Sequence, residues 1–417
     1  MREMKDSGVD WIGEIPAHWE VKRFKAFAKT IKGKSYDTLN EPFDGSYKVL
    51  SVECLRQDEA QFYDYVFVDD ENQICTSNDI VVIWDGAGVG EFLKAKDGVL
   101  SSTIAKIQLT NKSVILPYLW YWRYKVEYRL KSIPTGMGIP HLNPTLLNNF
   151  KIAIPPIEEQ QAIADYLDEK TAEIDEQISL LEQKQKAYVN LKQSLISQVV
   201  TRGLNPTAEL KDSGIEWIGK IPAHWEIRRL KDVSSFVNGY AFDSNDFETD
   251  DGIKVIRIGD IGQSVDFENC ARAKTDSALL SGYKINDGDI LLAMSGATTG
   301  KTCIVYNPQE AFINQRVGII RSKMSKMIFY LLQTPYFLEF INLYNTGSAQ
   351  PNISSKDVGE FPIIVVPAEE RQMLTDYLDK KTAEIDEQIS NIDKKINTYK
   401  RLKQSLIDEV VTGKRKI

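Results

Sequence analysis

The stretch "SGATTGKT" at residues 295–302 follows an apolar run and ends in Gly-Lys-Thr, a pattern typical of a loop that binds nucleotide phosphates. Three features argue against that chemistry. The spacing is one residue short, because Ser295 stands where the first glycine should be. The residues that follow favour strand and turn, whereas a phosphate-binding loop opens a helix. The corresponding loop, "DGAGVGEF" at 85–92, has Glu91 in place of Lys301, so a glycine turn between strands explains both loops.

Few other side chains could do chemistry. The four cysteines lie far apart without a CxxC pair, which argues against a zinc site and a disulfide framework: Cys54, Cys75, Cys270 and Cys303. The sequence has no Asn/Asp-Pro-Pro-Tyr methyltransferase motif, no GxSxG motif and no metal-spaced His/Asp cluster. His18 and His224 each precede a tryptophan in a repeated phrase, which favours packing or turn hydrogen bonding. His141 lies in the loop "MGIPHLNP", where simple loop polarity and a contact role both stay open.

Length and composition narrow the class of protein. A chain of 417 residues exceeds what one compact core supports, so two or more domains are expected. No apolar run is long enough to span a bilayer, and the first ten residues have no apolar signal core. With the cysteine pattern, this predicts a cytoplasmic protein. The net charge of −8 argues against a nucleic-acid binder unless the charge is unevenly distributed.

A long internal repeat organises the chain. The phrase "SGVDWIGEIPAHWE" at 7–20 returns as "SGIEWIGKIPAHWE" after 206 residues. "DYLDEKTAEIDEQIS" at 165–179 returns as "DYLDKKTAEIDEQIS" after 211 residues, and "LKQSLI" at 191–196 returns at the same distance. Solenoid repeats are far shorter, so each repeat is expected to be a domain with a connecting element. An internal twofold would bring the two chain ends together.

Each repeat ends in a predicted long helix. After Pro155 and Pro156, apolar residues recur at heptad steps until Gly203, and the second run stops at Gly413. The predicted packing residues are Leu167, Ile174, Ile178 and Leu181 in the first helix, and Leu378, Ile385, Ile389 and Ile392 in the second. A helix of about 40 residues with one apolar stripe would overhang its own domain. The two helices are therefore expected to pack antiparallel as a coiled coil.

The helices hold most of the negative charge. Residues 158–200 contain nine acidic and four basic side chains, and residues 369–411 contain ten acidic and eight basic ones. These segments account for −7 of the net charge of −8. The rest of the chain is close to neutral and contains local basic clusters. Such clusters are more often solvated surface than DNA contacts, so charge alone does not decide the function.

The regions between phrase and helix combine short β-rich runs with helical stretches, without regular alternation, which predicts an α+β fold. We predict two globular mixed α/β domains joined by two long antiparallel helices, with an internal pseudo-twofold repeat. The predicted segments are 1–154 for the first domain, 155–204 for the first helix, 205–365 for the second domain and 366–417 for the second helix.

This doubled order of motifs resembles the specificity subunit of type I restriction-modification systems. The resemblance is carried by the two "WIGxIPAHWE" phrases, the repeated helix sequences, "GDILLAMSGATTGK", "INQRVGIIRS", and "TGSAQPNIS" running into "VVPAEERQ". It spans nearly the whole chain. The first half departs from the pattern, because "PTGMGIPHLNP" replaces "TGSAQPNIS" and the lysine at the end of the glycine loop is absent.

The resemblance implies a function and a set of partners. Each variable segment would be a target recognition domain reading one half of a bipartite, asymmetric site in double-stranded DNA. The helices would fix the spacing and dock two modification (methyltransferase) subunits, to which restriction (translocase and nuclease) subunits add. S-adenosylmethionine, ATP and Mg would belong to those partners. The chain itself would be a non-catalytic part of a DNA methylation and host-defence system.

The resemblance also directs attention to polar loop residues. The candidate DNA-binding residues in the first half are Lys32, Lys34, Ser101, Ser102, Thr135 and His141. Those in the second half are Arg257, Ser295, Thr298, Thr299, Lys301, Asn314, Gln315, Arg316, Ser348, Gln350 and Asn352. No catalytic residue or metal ligand is expected. Two alternatives stay open: a coiled-coil scaffold that reads no DNA, and a P-loop nucleotide-binding protein.

Overall fold

The computed structural model describes residues 3–57, 64–131, 140–247, 251–344 and 351–417. The chain forms two compact units. The first unit contains Met1–Leu181 and Lys395–Ile417, and the second contains Glu182–Lys394. Each unit therefore combines one variable region with parts of both long helices.

Twelve strands lie in the described part of the first unit: β1 (Met4–Asp6), β2 (Glu14–Pro16), β3 (Glu20–Arg23), β4 (Ala28–Lys32), β5 (Tyr47–Leu50), β6 (Tyr65–Val66), β7 (Ile74–Cys75), β8 (Ile80–Ile83), β9 (Phe92–Lys94), β10 (Gly98–Leu100), β11 (Ile104–Leu109) and β12 (Lys151–Ile154). The helices are α1 (Val52–Arg56), α2 (Leu116–Lys131), α3 (Pro144–Asn149) and the first part of α4 (Ile157–Arg202). One antiparallel sheet has the order β4-β11-β8-β9. A second sheet has the order β6-β5-β10-β7, with β5 and β10 parallel.

The strands described in the second unit are β13 (Leu210–Asp212), β14 (Lys220–Pro222), β15 (Glu226–Arg229), β16 (Ser235–Asn238), β17 (Ile253–Ile256), β18 (Ala271–Ala273), β19 (Ile290–Ala293), β20 (Thr302–Ile304), β21 (Ala311–Ile313), β22 (Val317–Arg321) and β23 (Pro362–Val365). The helices are α5 (Leu230–Val233), α6 (Ser325–Leu332), α7 (Pro335–Tyr344), α8 (Ser355–Gly359) and α9 (Ala368–Val411), whose end belongs to the first unit. The main sheet, β16-β22-β19-β20, repeats the topology of β4-β11-β8-β9. The smaller sheet is β18-β17-β21, with β17 and β21 parallel.

A continuous apolar strand lies at an inner position of each main sheet. β8 has the sequence IVVI and β19 has ILLA, and every residue of both strands is buried. Such runs are typical of strands covered on both faces. The strands are mostly paired antiparallel and do not alternate with helices, so the predicted α+β class is confirmed.

In the first unit, the start of α4 packs against the end of α9. Leu167 of α4 shares a buried cluster with Leu406 and Val410 of α9. Lys403 Nζ donates a hydrogen bond to Asp175 Oδ2 at 2.5 Å. The helices therefore meet through an apolar seam flanked by an ion pair.

In the second unit, side-chain contacts define the direction of helix pairing. Lys192 Nζ donates to Asp386 Oδ1 and Oδ2 at 2.7 and 2.6 Å, and Gln185 Nε2 donates to Asp393 Oδ1 at 2.6 Å. Later residues of α4 thus contact earlier residues of α9. The helices are therefore antiparallel, as predicted.

The ion pairs of the two units occupy equivalent repeat positions. Asp175 and Asp386 are the same residue of "AEIDEQIS", and Lys192 and Lys403 are the same residue of "LKQSLI". Each repeat therefore supplies the aspartate of one unit and the lysine of the other.

The apolar stripe of both helices is largely covered. Leu167, Ile178, Leu378, Ile385 and Ile392 are buried, and Ile174, Leu181 and Ile389 are half-buried. Although α4 has 46 residues and α9 has 44, no helix in the described ranges is apolar enough along its length to cross a membrane.

Candidate nucleic-acid interface

Both glycine-rich loops connect antiparallel strands. Residues 84–91 join β8 to β9, and residues 294–301 join β19 to β20. Glycines at positive φ turn the chain, such as Gly86 at 93° and Gly296 at 78°. The strand β20 begins at the threonine of the Gly-Lys-Thr sequence, where a nucleotide-binding loop would continue into a helix. The hairpin geometry predicted for both loops is confirmed.

A second loop pairs with each hairpin in the same way. In the first unit, backbone hydrogen bonds of 2.8 and 2.9 Å hold residues 140–142 against residues 84–86 and place Asp85 opposite His141. In the second unit, bonds of 3.0 and 2.9 Å do the same for the segments around Ser295 and Asn352. Two backbone hydrogen bonds in each unit therefore hold the hairpin loop and the second loop in the same arrangement, which we call the backbone frame.

A close backbone contact adds a third segment to each frame. A Cβ at Gly33 would lie 2.1 Å from the carbonyl oxygen of Ser101, and a Cβ at Gly239 would lie 2.0 Å from that of Asn314. Only glycine permits this approach. The residues after these glycines form the bridges Lys34 with Ser101 and Tyr240 with Asn314.

The two units therefore present one backbone frame with two different sets of side chains. In the first unit the set is Lys32, Lys34, Asp85, Ser101, Ser102, Thr103 and His141, which we call the first polar surface. The equivalent residues, in the same order, are Asn238, Tyr240, Ser295, Asn314, Gln315, Arg316 and Asn352, which we call the second polar surface. No position carries the same residue in both units.

Asp85 organises the first polar surface. Its Oδ2 accepts a hydrogen bond from Lys32 Nζ at 2.7 Å, and its Oδ1 lies 2.6 Å from His141 Nδ1. The Asp85 side chain is 17% exposed, whereas that of His141 is 68% exposed. Burial opposes ionisation, but the hydrogen bonds from Lys32 and His141 and the positive charge of Lys32 outweigh it and lower the pKa of Asp85. The carboxylate is therefore ionised at neutral pH and can only accept hydrogen bonds.

Further contacts orient the cations of this surface. Lys32 Nζ lies 5.9 Å from the centre of the Trp84 ring, within the range of a cation–π interaction. Lys34 Nζ donates to Asp70 Oδ2 at 3.1 Å. Both lysines remain exposed, so each can reach an additional anionic partner.

The second polar surface is built from neutral groups and one exposed arginine. Thr299 Oγ1 donates to Gly296 O at 2.7 Å. Ser295 Oγ and Thr298 Oγ1 are buried and hydrogen-bond to no group in the part of the chain that the structure describes. Unpaired buried hydroxyls cost free energy, so folding alone does not satisfy this loop. The exposed side chains of this surface are Asn238, Gln315, Arg316 and Asn352, and Lys301 of the same hairpin loop is exposed beside them.

Arg257 lies beside the second polar surface. The backbone N–H of Asn314 donates to the carbonyl of the residue before Arg257 at 3.0 Å. The guanidinium of Arg257 lies 4.1 Å from the centre of the Phe247 ring. Its backbone N–H donates to Asp260 Oδ2 at 2.7 Å, and burial raises the pKa of Asp260. The arginine is thus fixed at its base and exposed at its side chain.

The structure brings most candidate DNA-binding residues together within their own unit. Lys32, Lys34, Ser101, Ser102 and His141 lie on the first polar surface. Ser295, Asn314, Gln315, Arg316 and Asn352 lie on the second, with Thr298, Thr299 and Lys301 in the same hairpin loop. Thr135, Ser348 and Gln350 lie outside the described residues.

Sequence reasoning missed Asp85, Thr103, Asn238 and Tyr240. The signal for Asp85 was present, since aligning "DGAGVGEF" with "SGATTGKT" places it at the position of Ser295. Asn238 and Tyr240 flank Gly239, whose close contact with Asn314 only the folded chain shows.

The repeated phrase joins each unit to its helix ends. In the second unit, Trp225 is buried and its Nε1 donates to Glu370 Oε2 at 3.0 Å in the first turn of α9. His224 Nε2 lies 2.7 Å from the same oxygen. A Cβ at Gly203, at the end of α4, would lie 3.3 Å from the Trp225 ring. His224 therefore has a structural role, as predicted, but its hydrogen-bond partner lies in α9 and not in its own turn.

The first unit has the same junction. Trp19 Nε1 donates to Glu159 Oε2 at 2.9 Å, and His18 Nε2 lies 2.6 Å from Glu159 Oε1. A Cβ at Gly413, beyond the end of α9, would lie 2.4 Å from Pro16 and 3.0 Å from the Trp19 ring. The beginning and end of the sequence therefore meet in this unit, as the internal repeat predicts.

Replacing Glu370 with alanine is expected to destabilise the second unit by about 1–3 kcal/mol, because the buried Trp225 N–H loses its acceptor. The measurement is thermal unfolding of the full chain followed by tryptophan fluorescence. Glu369→Ala removes the neighbouring, exposed acid of the same helix turn and is the matched control. Equal shifts in the two variants would show that helix-end charge, and not the hydrogen bond, holds the junction.

The four cysteines are free and buried: Cys54, Cys75, Cys270 and Cys303. Burial raises the pKa of Cys75 to about 12 and that of Cys303 to about 11. These two thiols therefore stay protonated at neutral pH, which is unsuited to a nucleophile. Within the described ranges, no group of three His, Cys, Asp or Glu side chains is placed to hold a metal ion.

Comparison with known proteins gives a consistent result. The family model of the type I restriction modification DNA specificity domain matches residues 16–185 and 222–398. The type I restriction enzyme MjaVIII specificity subunit of Methanocaldococcus jannaschii is 31% identical over 413 residues, covering 96% of this chain and 93% of that protein. The type I restriction enzyme EcoKI specificity subunit of Escherichia coli is 21% identical, with coverage of 96% and 90%.

A solved structure shares the fold. A chain from a study of complex assembly and conformational transition of the type I R-M system aligns with a TM-score of 0.69 at 16% identity. The alignment covers 95% of this chain and 98% of that one. The similarity therefore extends over both repeats.

Proposed function

The chain belongs to the family of type I restriction-modification DNA specificity proteins, and we propose that it reads a bipartite, asymmetric sequence in double-stranded DNA. The observation that carries this proposal is the pair of polar surfaces, which share a backbone frame and differ in every side chain. Equivalent frames suit two contacts of the same kind with DNA. Different side chains suit different bases, because base edges are read by the type and position of donors and acceptors.

The second polar surface offers side chains that match base edges. A guanidinium such as that of Arg316 can donate two hydrogen bonds to guanine O6 and N7. The amides of Gln315 and Asn352 can pair with adenine N6 and N7. All three residues are exposed. This surface is suited to reading purine edges in the major groove.

The first polar surface offers cations and one imidazole. Lys32 and Lys34 are exposed and can contact phosphates or guanine, while His141 can contact a base edge. Because the helix segments carry −7 of the net charge of −8, the rest of the chain is close to neutral. Phosphate contacts by the exposed lysines would make binding dependent on salt.

We also propose that the chain docks two modification subunits and that restriction subunits join the complex. The duplicated phrase and helices support this proposal, because they offer two equivalent sets of residues to two copies of one partner. The curated relatives are named as specificity subunits of type I restriction enzymes. In this proposal S-adenosylmethionine, ATP and Mg²⁺ are bound by the partner subunits.

The purified chain alone is therefore expected to show neither methyl transfer to DNA nor ATP hydrolysis. Incorporation of labelled methyl groups and release of phosphate measure the two activities, with and without added modification and restriction subunits. If the isolated chain showed either activity, and if its specific activity did not fall on further purification, the proposal would be contradicted.

DNase footprinting with modification subunits present tests the DNA-reading proposal. DNA fragments selected from a random pool are expected to show two protected patches with an unread segment between them. Arg316→Ala should weaken selection in one patch and leave the other intact. A complex that assembles normally but protects no preferred sequence would instead favour the coiled-coil scaffold.

A further inference from the structure

The contact of Asp85 with His141 fixes where the imidazole carries its proton. An ionised carboxylate only accepts hydrogen bonds, and Asp85 Oδ1 lies 2.6 Å from His141 Nδ1. Nδ1 must therefore hold a hydrogen. In the neutral ring, Nε2 is then an acceptor. This nitrogen hydrogen-bonds to no group among the described residues, and the side chain is 68% exposed.

We propose that Asp85 is the positioning residue of the first polar surface, and that it presents His141 Nε2 as an acceptor for the exocyclic amino group of adenine or cytosine. This inference rests on the proposed function. In the major groove, adenine N6 and cytosine N4 are the amino donors, whereas guanine and thymine offer acceptors at the corresponding positions. An acceptor held at this position selects for the amino bases.

The Asp85 carboxylate also fixes the position of a second side chain of this surface, that of Lys32. Asp85 Oδ2 accepts from Lys32 Nζ at 2.7 Å, so one largely buried group sets the spacing between a cation and an imidazole. Lys32 supplies a donor beside the acceptor on His141. A lysine next to a base contact suits a phosphate or a guanine. Together, the Lys32 ammonium and the His141 imidazole restrict the register of the chain on the DNA.

The second unit lacks this arrangement of a carboxylate between a lysine and a histidine. The equivalents of Asp85, His141 and Lys32 are Ser295, Asn352 and Asn238, none of which is charged. An asparagine amide carries both a donor and an acceptor, so it needs no carboxylate to define a tautomer. The inference therefore concerns one half-site only, and the other half-site serves as an internal control.

The loop itself does not depend on the carboxylate. Two backbone hydrogen bonds, Gly86 N to Pro140 O at 2.9 Å and Leu142 N to Trp84 O at 2.8 Å, hold the paired segments. Asp85→Asn keeps these bonds and the size of the side chain, but it removes the charge and the obligatory acceptor. Loss of base selection without loss of folding is therefore the expected consequence.

The test is to map methylated sites in cells that carry the modification subunits with the wild-type chain, Asp85→Asn, His141→Ala or the double variant. Asp85→Asn is expected to lower discrimination at one base pair of one half-site by about tenfold, within the range for a single base contact. The identity of that base distinguishes adenine from cytosine. The double variant should match His141→Ala, because Asp85 acts on this base through His141.

Glu91→Gln is the matched control, since it removes the other carboxylate of the same hairpin loop, which pairs with Arg56. It should leave both half-sites unchanged. An unchanged motif with Asp85→Asn, equal relaxation of both half-sites, or the same relaxation with Glu91→Gln would overturn the inference. A wild-type chain that directs no sequence-selective methylation would instead contradict the proposed function itself.

Discussion

Replacing residues 227–360 with the corresponding segment of another family member is expected to change one half of the recognised DNA sequence and to leave the other half unchanged. Every residue of the second polar surface falls within this segment, whereas the first polar surface lies within residues 32–141. The exchange begins within β15 and ends just before β23, the strand with which β15 pairs. Two mismatched base pairs cost about 2–6 kcal/mol, so the old half-site should bind about thirtyfold more weakly or worse.

Methylated sites mapped with the parent chain and the chimera, in the same cells, measure this effect. The reciprocal exchange of residues 21–150 is the matched control and should alter the opposite half-site. The modular interpretation would be wrong if either exchange altered both halves, because the two polar surfaces would then not read DNA independently.

Lengthening both long helices by one heptad is expected to keep both half-sites and to increase the distance between them. Insertions after Gln183 and after Lys394 leave the pairs Asp175–Lys403 and Lys192–Asp386 intact, because both partners of each pair stay in one unit. Seven residues add about 10 Å of helix, and one base pair adds about 3.4 Å of DNA. The unread segment should therefore grow by up to about three base pairs.

The control is a pair of five-residue insertions at the same points. Five inserted residues rotate the part of the helix that follows them by one full turn and about 140° more. This rotation moves the apolar stripe off its partner helix and should cost assembly rather than change spacing. Mapping of methylated sites measures both variants. An active heptad variant with unchanged spacing would show that the helices do not set the distance.

The long helices follow from local sequence signals. Pro155 and Pro156 precede the heptad run and Gly203 follows it, and the observed helix α4 extends over Ile157–Arg202. The second helix ends before Gly413, which has a positive φ. Proline at the start, glycine at the end and an apolar stripe between them act within a few turns of helix. Such elements need no knowledge of the tertiary fold.

The candidate site depends on contacts that no local pattern encodes. Asp85 meets Lys32 across 53 residues and His141 across 56 residues, and its role appears only when all three side chains are placed together. Long-range contacts also decide which segments of the chain make up each compact unit. Lys403 joins the first unit through Asp175, 228 residues earlier in the chain. Long-range pairing of this kind follows from the folded repeat and not from propensity or periodicity.

We propose that this chain chooses the DNA sequence on which the modification subunits act. The decisive measurement is long-read sequencing of methylated bases in cells that express the modification subunits with and without this chain. We expect a single bipartite motif with two different halves, present only with the chain. Methylation at the same sites in its absence, or an uninterrupted motif in its presence, would show that another component chooses the sequence or that the two polar surfaces do not read separate half-sites.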